Sequence, residues 1–434
     1  MKRGLREEAA TPHEHTVHKP MRFRSRGYDC AVYVRGANPP YTEGYIAAAR
    51  SLARAFALSG LSTVLLNFKY STRTSVDRRF ADSEVRSLSH FDVRIPHIER
   101  GSLLHSRRIG PYPVLAAILE SIHIPFLIAQ EVRANASIVH LVNCFKFPRA
   151  LLRVISRKPV VSHVYHLPAP SKLPELPLPV DASVASSLRI AKSLRTHFKR
   201  SSIHIVPPAV NTHFFQTNPD FNSRRKLGLY IGNLSCSRMP DDLLKIFREI
   251  IRVDPDISFR LIAPVNPINI PRAYEIRTIC KSLQIEDKVS VSLRDMDDNE
   301  KLREYRTAKC FVFAPIRECQ EVIEPPLTAL EALSSGLPVL ATDAYSVSEA
   351  VVSGKNGFLV NMRDYANLAD RAINILQADQ SVWRAWSMNA RSTAIKNFSI
   401  SVMSSRLARI HSTILENQTK MDSKIQPICQ QLRE

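Results

Sequence analysis

Short apolar runs alternate along this chain with longer stretches whose apolar residues have helical spacing. The run at 28–36 predicts a strand, the stretch 42–60 predicts an amphipathic helix, and the run at 62–68 predicts a second strand. Thr42 is the expected N-cap of that helix, and Gly60 is its expected end. A strand, a helix and a strand in this order form a βαβ unit, with parallel strands and a right-handed crossover.

The alternation continues in two series, separated by polar, turn-prone residues around 209–226. Further strands are predicted in the first series at 136–142, 159–165, 181–187 and 202–208, and in the second series at 226–234, 257–263, 288–293, 310–315, 337–343 and 357–360. Three helical stretches close the chain at 363–376, 380–396 and 400–417. The pattern predicts two open α/β sheets, whose ligands are expected at the carboxyl ends of the strands, in the cleft between two domains. The Arg- and Ser-rich stretch 69–111 lacks periodicity, and we interpret it as an irregular insertion or a mobile loop.

The composition is that of an ordinary globular protein with a basic surface. The 434 residues suit two domains, and 44% hydrophobic with 23% charged residues argue against disorder. The net charge of +20 favours polyanionic partners: nucleic acid, an anionic membrane surface or phosphate-bearing substrates. A basic surface that forms no site is the alternative explanation.

Cysteine usage and the lack of long apolar segments predict a cytoplasmic protein. The seven cysteines are scattered without metal-ligand spacing, which fits a reducing compartment. No signal-peptide core is present in the first 20 residues, and the most apolar stretch, 113–129, is too short and too polar for a membrane span. The stretch 188–201 has five Lys or Arg and no acidic residue, so peripheral contact with an anionic bilayer is a further hypothesis, beside a solvated helix.

The most informative segment is 318–343. Glu324 precedes Pro325 and is therefore pushed out of helical geometry, and a helix is expected to run from there to about Ser335, where Gly336 ends it. Thr328 and Glu331 share one face of that helix. Glu324 and Glu331 lie about 10 Å apart at a rise of ~1.5 Å per residue, and the open helix N-terminus between them suits a phosphate.

This segment resembles the acidic donor motif of retaining GT-B glycosyltransferases of family 4: a Glu, a short stretch with Gly or Pro, Leu-Glu-Ala, a small residue and Gly-x-Pro-Val. The resemblance implies that Glu331 binds the ribose hydroxyls of a nucleotide-sugar donor and that the first Glu, a catalytic residue, lies near the donor sugar. The family has seven residues between the two, whereas Glu324 leaves six and Glu321 leaves nine. Glu324 is favoured because Glu-Pro-Pro-Leu-Thr resembles a variant of the motif, but Glu321 remains the alternative.

A second resemblance concerns the donor diphosphate. The segment 228–244 is similar to the family's first strand and loop of the nucleotide domain, where an Arg follows the glycine and a Lys lies five residues further on. Here Asn233 follows Gly232 in place of the Arg, and Arg238 takes the Lys position, so one cation remains to bind phosphate oxygens. The predicted donor-binding set also includes Leu327 and Thr328 at the helix N-terminus, Glu331, and Gly44 at the start of the first helix.

Other matches cover most of the chain. The segment 205–215 resembles the family's domain junction but departs from it at Ala209 and Asn211, and 341–360 resembles the stretch after the motif but lacks a glycine near Ala344–Tyr345. The segment 158–166 resembles a strand that ends in a functional His near the transferred sugar. The family spacing falls between His163 and His166, so both are catalytic candidates, and either is alternatively a packed strand-end histidine.

One motif points to a different chemistry. Asp295 and Asp297 form the Asp-x-Asp that binds metal in the other glycosyltransferase fold, but they lie where a helix should begin, and N-capping explains them better. We therefore predict that no metal or other cofactor is required.

The resemblance implies an α/β protein of the GT-B fold, two Rossmann-like domains facing each other across a cleft. Its segments are a polar tail at 1–25, an acceptor domain at 26–208, a nucleotide-sugar domain at 209–398, a closing helix at 399–420 and a tail at 421–434. The predicted function is a retaining, hexosyltransferase-type glycosyltransferase, with a glycan or lipid-linked acceptor of the kind used in polysaccharide biosynthesis. The alternatives are an inactive glycosyltransferase-like scaffold and a basic nucleic-acid-binding protein, although no nucleic-acid motif is present and no nucleic-acid partner is expected.

Overall fold

The structure is a computed structural model. It describes residues 28–34, 44–69, 88–94, 129, 132–134, 136–143, 149–167, 181–197, 202–216, 221, 224–315, 322–323 and 325–431. Within these residues the strands form two parallel sheets and one short antiparallel pair. The two series of units in the sequence correspond to these two parallel sheets.

The first sheet has seven strands in the order β3-β2-β1-β4-β5-β7-β8, and all of its neighbours are parallel. Its strands are β1 (Tyr28–Val34), β2 (Thr63–Lys69), β3 (Leu88–Arg94), β4 (Ala136–Val142), β5 (Val160–Val164), β7 (Ala182–Ala185) and β8 (Ile203–Ile205). Three described helices follow strands of this sheet: α1 (Gly44–Leu58), α2 (Arg149–Ser156) and α3 (Leu188–His197). Gly60, with a φ of 82°, ends the turn after α1, as its position in the sequence predicts.

Strand β3 corrects the interpretation of 69–111 as wholly irregular. Leu88–Arg94 pairs with the whole length of β2, from Thr63 with Leu88 to Lys69 with Arg94. Among the described strands, β3 lies at the edge of its sheet and has β2 as its one neighbour. A strand in that position is specified by pairing with its neighbour as much as by its own apolar pattern, so periodicity missed it. Thr42, the expected N-cap of α1, lies outside the described residues, as do residues 70–87 and 95–111 of the Arg- and Ser-rich stretch.

The second sheet has six strands in the order β11-β10-β9-β12-β14-β15, also all parallel. Its strands are β9 (Arg225–Ile231), β10 (Ser258–Ala263), β11 (Val289–Leu293), β12 (Ala308–Phe313), β14 (Val339–Thr342) and β15 (Gly357–Val360). Its helices are α4 (Asp241–Val253), α5 (Asn269–Ser282), α6 (Asp298–Thr307), α7 (Leu327–Ser334), α8 (Tyr365–Gln377) and α9 (Gln380–Phe398). The largest buried hydrophobic cluster surrounds this sheet and includes Phe259, Phe311 and Trp383.

The chain crosses between the sheets twice, and the two crossings are hydrogen-bonded to each other. The amide of Val210, between the first and second series, donates to the carbonyl of Phe398, and Val210 forms a β-bridge with Ser399. The last helix, α10 (Ile400–Gln431), then packs on the first domain, where Leu407 and Ile410 join the core that contains Phe56. The helix includes residues 421–431, part of the segment expected as a tail.

A short antiparallel pair joins the two domains. Strand β6 (His166–Leu167), after the first sheet's β5, pairs with β13 (Val322–Ile323), which follows β12 of the second sheet. No helix among the described residues is long and apolar enough to cross a membrane.

Three buried histidines lie between the first sheet and α10. The Nδ1 atom of His140 lies 2.9 Å from the Nε2 atom of His163, and His411 of α10 stacks on His140 with ring centroids 6.4 Å apart. Burial lowers the pKa of all three, that of His163 to about 3. The charge of neighbouring histidines lowers the pKa of His140 further, whereas Asp29 opposes the effect on His411. This part of the core therefore depends on neutral imidazoles.

We expect the free energy of unfolding to fall as the pH falls below about 6.5. A buried neutral histidine with a lowered pKa binds fewer protons when folded than when unfolded, so acid favours the unfolded chain, and no such dependence remains above the unfolded pKa. His163 alone accounts for a loss of about 2 kcal/mol between pH 7 and pH 5. Urea unfolding at several pH values should give a smaller pH dependence for His163→Asn. The matched control is His213→Asn, an exposed position, and an equal dependence in both variants would contradict the assignment.

Candidate functional site

The candidate site lies at the carboxyl edge of the second sheet. Strand β12 pairs in parallel with both β9 and β14, so the three loops that leave these strands start side by side. The loop after β9 contains Gly232, Asn233 and Arg238, the loop after β12 leads to α7, and the loop after β14 contains Tyr345. Parallel pairing therefore brings together three segments that are far apart in the sequence.

The loop after β9 is held by hydrogen bonds of Asn233. Its carbonyl accepts a 2.5 Å hydrogen bond from the Tyr230 hydroxyl, and its side-chain oxygen accepts one of 3.1 Å from the Ser235 amide. Gly232 donates its amide to the Ile262 carbonyl of β10. The family that the sequence resembles has a cationic side chain at this position. This chain has Asn233 instead, whose hydrogen bonds hold the loop in its conformation.

Arg238 is the only Lys or Arg between residues 232 and 240. Its half-buried guanidinium lies 5.4 Å from the ring centroid of Tyr345, a cation–π contact between the loops after β9 and β14. The Tyr345 hydroxyl also lies 3.4 Å from the Ser237 carbonyl, and its ring packs edge-on against Phe313 at 5.7 Å. Tyr345 therefore fixes the position of the single cation of this loop.

Helix α7 begins and ends as the sequence predicts. Pro326 is the N-cap, no side chain of the described residues caps the first turn, and Gly336 follows the helix with a φ of 67°. Leu327 and Thr328 open the helix, are half-buried, and follow the segment that leaves the carboxyl end of β12. A first helical turn has a positive electrostatic potential and suits an anion. Glu324 and Glu321 lie outside the described residues.

Glu331 lies in a buried polar cluster with two residues of α6. One carboxylate oxygen accepts a 2.8 Å hydrogen bond from the Lys301 ammonium, and the other accepts a 2.8 Å bond from the Tyr305 hydroxyl. Burial raises the pKa of Glu331 and outweighs the opposing effect of Lys301. Burial works to lower the pKa of Lys301, but the facing carboxylates of Glu331 and Asp298 raise it on balance. The carboxylate is thus fixed in direction by two donors, one on each oxygen.

The structure separates the two histidine candidates. His163 lies on β5 with its ring in the core against His140 and is 1% exposed, as expected for a packed strand-end histidine. His166 lies on β6, is half-buried, and pairs in the backbone with Ile323, the residue that precedes Glu324 in the sequence. Of the two, only His166 lies where the two domains meet.

Gly44, Asp295 and Asp297, the other residues considered in the sequence analysis, lie in different parts of the structure. Gly44 is the first residue of α1 in the first domain. Asp297 caps α6 in a capping box with Glu300, which confirms the N-capping interpretation, and the Asp295 carboxylate lies 3.4 Å from the Val265 amide. In the described ranges, no group of three or more His, Cys, Asp or Glu residues could hold a metal ion.

Three site residues were missed by sequence reasoning: Lys301, Tyr305 and Tyr345. Lys301 and Tyr305 are four residues apart on α6 and so share a helix face, but a single sequence does not indicate that this face meets Glu331. For Tyr345 the available signal was the missing glycine near Ala344–Tyr345.

Comparison with known proteins finds a family model that matches the segment containing these loops. Residues 212–393, which include the second sheet, match the family described as Glycosyl transferases group 1. The chain is 26% identical over 222 residues to the D-inositol 3-phosphate glycosyltransferase of Nocardia farcinica, which is 48% of each chain. It is 28% identical over 195 residues to the protein of that name from Frankia alni, or 42% of this chain and 46% of the other. The match thus spans about half the length of these curated relatives.

Solved structures resemble nearly the whole chain. Anabaena Alr3699/HepE in complex with UDP and glucose has a TM-score of 0.66 and 14% identity, covering 89% of this chain and 99% of that one. Sucrose-phosphate synthase from Thermosynechococcus elongatus has a TM-score of 0.67 and 15% identity, covering 90% and 100%. These likenesses confirm the predicted GT-B fold of two Rossmann-like domains.

Removing the cation beside Glu331 should destabilise the second domain. We expect Lys301→Met to lower the free energy of unfolding by roughly 3–5 kcal/mol, since it leaves a buried carboxylate without its charge partner. The double variant Lys301→Met with Glu331→Gln should recover much of this loss, because neither charge then remains. Urea unfolding near pH 7.5 measures both effects.

A matched control is Lys245→Met, which removes an exposed ion pair with Asp242. Exposed pairs contribute about 0–1 kcal/mol, so this variant should change little. Equal losses for Lys301→Met and Lys245→Met would show that the Lys301–Glu331 pair does not contribute as we infer.

Proposed function

We propose that this chain is a glycosyltransferase that moves a sugar from a nucleotide-sugar donor, held by the second domain, to an acceptor held by the first. The carrying observation is that Arg238 and the first turn of α7 follow neighbouring strands at one edge of a sheet, and that Glu331, with its carboxylate oriented by two donors, lies one turn further along α7. All three lie in the segment that matches Glycosyl transferases group 1.

Each of these groups suits one part of a nucleotide sugar. The guanidinium of Arg238 and the first amides of α7 suit the diphosphate, because both offer positive charge and N–H donors. The Glu331 carboxylate suits the ribose hydroxyls as a hydrogen-bond acceptor, in the role that the family resemblance gives it. Leu327, Thr328, Gly232 and Asn233 line the same loops, and Gly44 is proposed to let a phosphate approach from the first domain.

The departing diphosphate requires stabilisation during sugar transfer, which develops an oxocarbenium-like centre. Arg238 and the α7 amides would stabilise the charge that accumulates on the leaving group, without a metal ion. His166 is the proposed catalytic histidine near the donor sugar, because it pairs with the segment that leads to Glu324. His163 is proposed to act only in the core. Retention of configuration and membership of family 4 complete the proposal, on the resemblance of the acidic motif.

UDP is the first nucleotide to test, since the structurally similar protein Alr3699/HepE of Anabaena was solved in complex with UDP and glucose. The acceptor is proposed to be a glycan or a lipid-linked sugar, bound by the first domain. Leu188–His197 of that domain carries Arg189, Lys192 and Arg195, and this basic surface would suit a phosphate-bearing acceptor or an anionic membrane. A cytoplasmic protein, peripheral to a membrane, is the setting that fits this proposal.

Calorimetric titration with UDP, GDP and ADP in the presence of EDTA tests the donor site. We expect micromolar affinity for one nucleotide and a loss of about 10- to 100-fold in Arg238→Ala and in Glu331→Gln, since each removes a charge-assisted hydrogen bond worth roughly 1.5–3 kcal/mol. Arg248→Ala, an exposed arginine on α4, is the control and should bind normally.

If the intact protein bound none of the three nucleotides, the proposal would fail and an inactive scaffold would be favoured. A salt-sensitive shift of DNA or RNA by the same protein would instead favour a nucleic-acid-binding function.

Activity distinguishes the two histidines. We expect His166→Asn to lower the turnover of UDP-sugar at least about 100-fold while nucleotide affinity and thermal stability stay close to those of the parent protein. His163→Asn should do the reverse, lowering stability with little change in turnover per folded molecule. The measurement is release of the nucleotide from the donor, paired with a thermal unfolding curve for each variant. Loss of turnover in His163→Asn alone would reverse the assignment.

A further inference from the structure

We propose that Glu349 is a positioning residue that holds the two domains closed over the cleft by capping helix α3 of the opposite domain. The effect of this residue on catalysis rests on the proposed function. The contact between Glu349 and helix α3 does not depend on that function. Glu349 belongs to the 3₁₀ turn Val347–Glu349 after β14 of the second sheet. Helix α3 follows β7 of the first sheet.

Both oxygens of the Glu349 carboxylate bind the first turn of α3. The Leu188 amide donates to one oxygen at 2.9 Å, and the Arg189 amide donates to the other at 3.2 Å. The third amide of this turn, that of Ile190, donates to the Ser187 side chain at 3.1 Å within the first domain. The cap of α3 is therefore completed only when the second domain is docked, and its negative charge lies at the positive end of the helix dipole.

Two further contacts reinforce this one. The Ser346 hydroxyl donates to the Ser187 hydroxyl at 3.1 Å in a buried position, and Arg189 forms a half-exposed ion pair with Asp343 at 3.5 Å. Thus Asp343, Ser346 and Glu349 all bind within three consecutive residues of the first domain. We call these contacts the domain latch.

The latch is continuous with the donor site. Tyr345, between Asp343 and Ser346, carries the ring on which Arg238 lies. Strand β13 contacts β6 at a second point of the domain boundary, where Ile323 pairs with His166. Closure at the latch therefore sets where His166 of the first domain lies relative to Arg238 of the second. Movement of one domain against the other would change that geometry without altering either half of the site.

The substitution Glu349→Gln tests the latch without a large change in shape. A glutamine side chain has one acceptor oxygen, and its amide nitrogen is a donor that cannot bind a backbone N–H. Because the two amides bond to different oxygens of Glu349, glutamine cannot keep both hydrogen bonds in their present geometry. We expect hydrogen exchange of the 188–190 amides to accelerate about tenfold, corresponding to the loss of one such hydrogen bond, and the radius of gyration in solution scattering to increase. Glu286→Gln, an exposed position of the same domain, is the control.

These measurements need neither nucleotide nor acceptor, so they judge the latch even if the proposed function fails. Unchanged exchange at 188–190 and an unchanged radius of gyration in Glu349→Gln would overturn the latch. If nucleotide does bind, we expect Glu349→Gln to keep the parent's affinity for the nucleotide while its turnover falls about tenfold. A loss confined to nucleotide affinity would contradict a positioning role.

A reversible cross-link provides a second test. Ser187→Cys with Ser346→Cys places two thiols where the hydroxyls now lie 3.1 Å apart, close enough for a disulfide after small rotations. The oxidised protein should keep the parent's radius of gyration when Glu349→Gln is also present, and should release bound nucleotide more slowly than its own reduced form. The single-cysteine variants control for the native exposed thiol of Cys236. Failure of the two cysteines to cross-link in the folded protein would show that the domains do not dock as we infer.

Discussion

Every candidate site residue of the second domain depends on the parallel pairing of β12 with β9 on one side and with β14 on the other. Parallel strands direct all of their carboxyl ends to one edge, so the segments that follow them meet although about 100 residues separate Arg238 from Tyr345. The contact between these two side chains is a consequence of strand order. A shift of one residue in the pairing of β12 and β14 would turn the loop away and break it.

The buried cluster of Glu331, Lys301 and Tyr305 shows that burying polar groups in such a site has an unfavourable desolvation energy. Burial removes the carboxylate from water, and its pKa is raised for that reason. A facing ammonium and a facing hydroxyl compensate, and they also restrict the carboxylate to one direction. Replacing a buried ion pair with apolar residues of similar volume is often neutral or stabilising. Stability alone therefore does not explain this cluster, whereas the ribose-binding role that we propose for Glu331 requires a polar group here.

The sequence predicted the two sheets because their buried strands are continuous apolar runs, and it predicted α7 because Pro325, Pro326 and Gly336 mark its ends. It did not predict β3, whose apolar residues are too few, nor the partners of Glu331, because the packing of α6 against α7 is a long-range choice. His163 lies on β5, and His166 lies three residues later on the short strand β6. The apolar periodicity does not show which of the two side chains faces the core. The tertiary contacts decide between them, since His140 occupies one side of β5 and β13 pairs with β6.

Two departures from the family pattern meet in this structure, and together they are consistent. Asn233 stands where the family that the sequence resembles has a cation, and the stretch near Ala344–Tyr345 lacks that family's usual glycine. Tyr345 and Ser346 both have left-handed backbones, with φ of 52° and 57°, a conformation that costs a residue other than glycine about 1–2 kcal/mol. The ring of Tyr345 offsets part of that cost by packing on Phe313 and by binding the guanidinium of Arg238, a contact worth about 0.5–2 kcal/mol. In the function we propose, Arg238 is the one cation that this loop offers to a diphosphate, and the contact with Tyr345 restricts its position. The same turn of chain carries Ser346 and Glu349 to the opposite domain. The restraint on this cation and the contact between the domains therefore come from one short segment after β14.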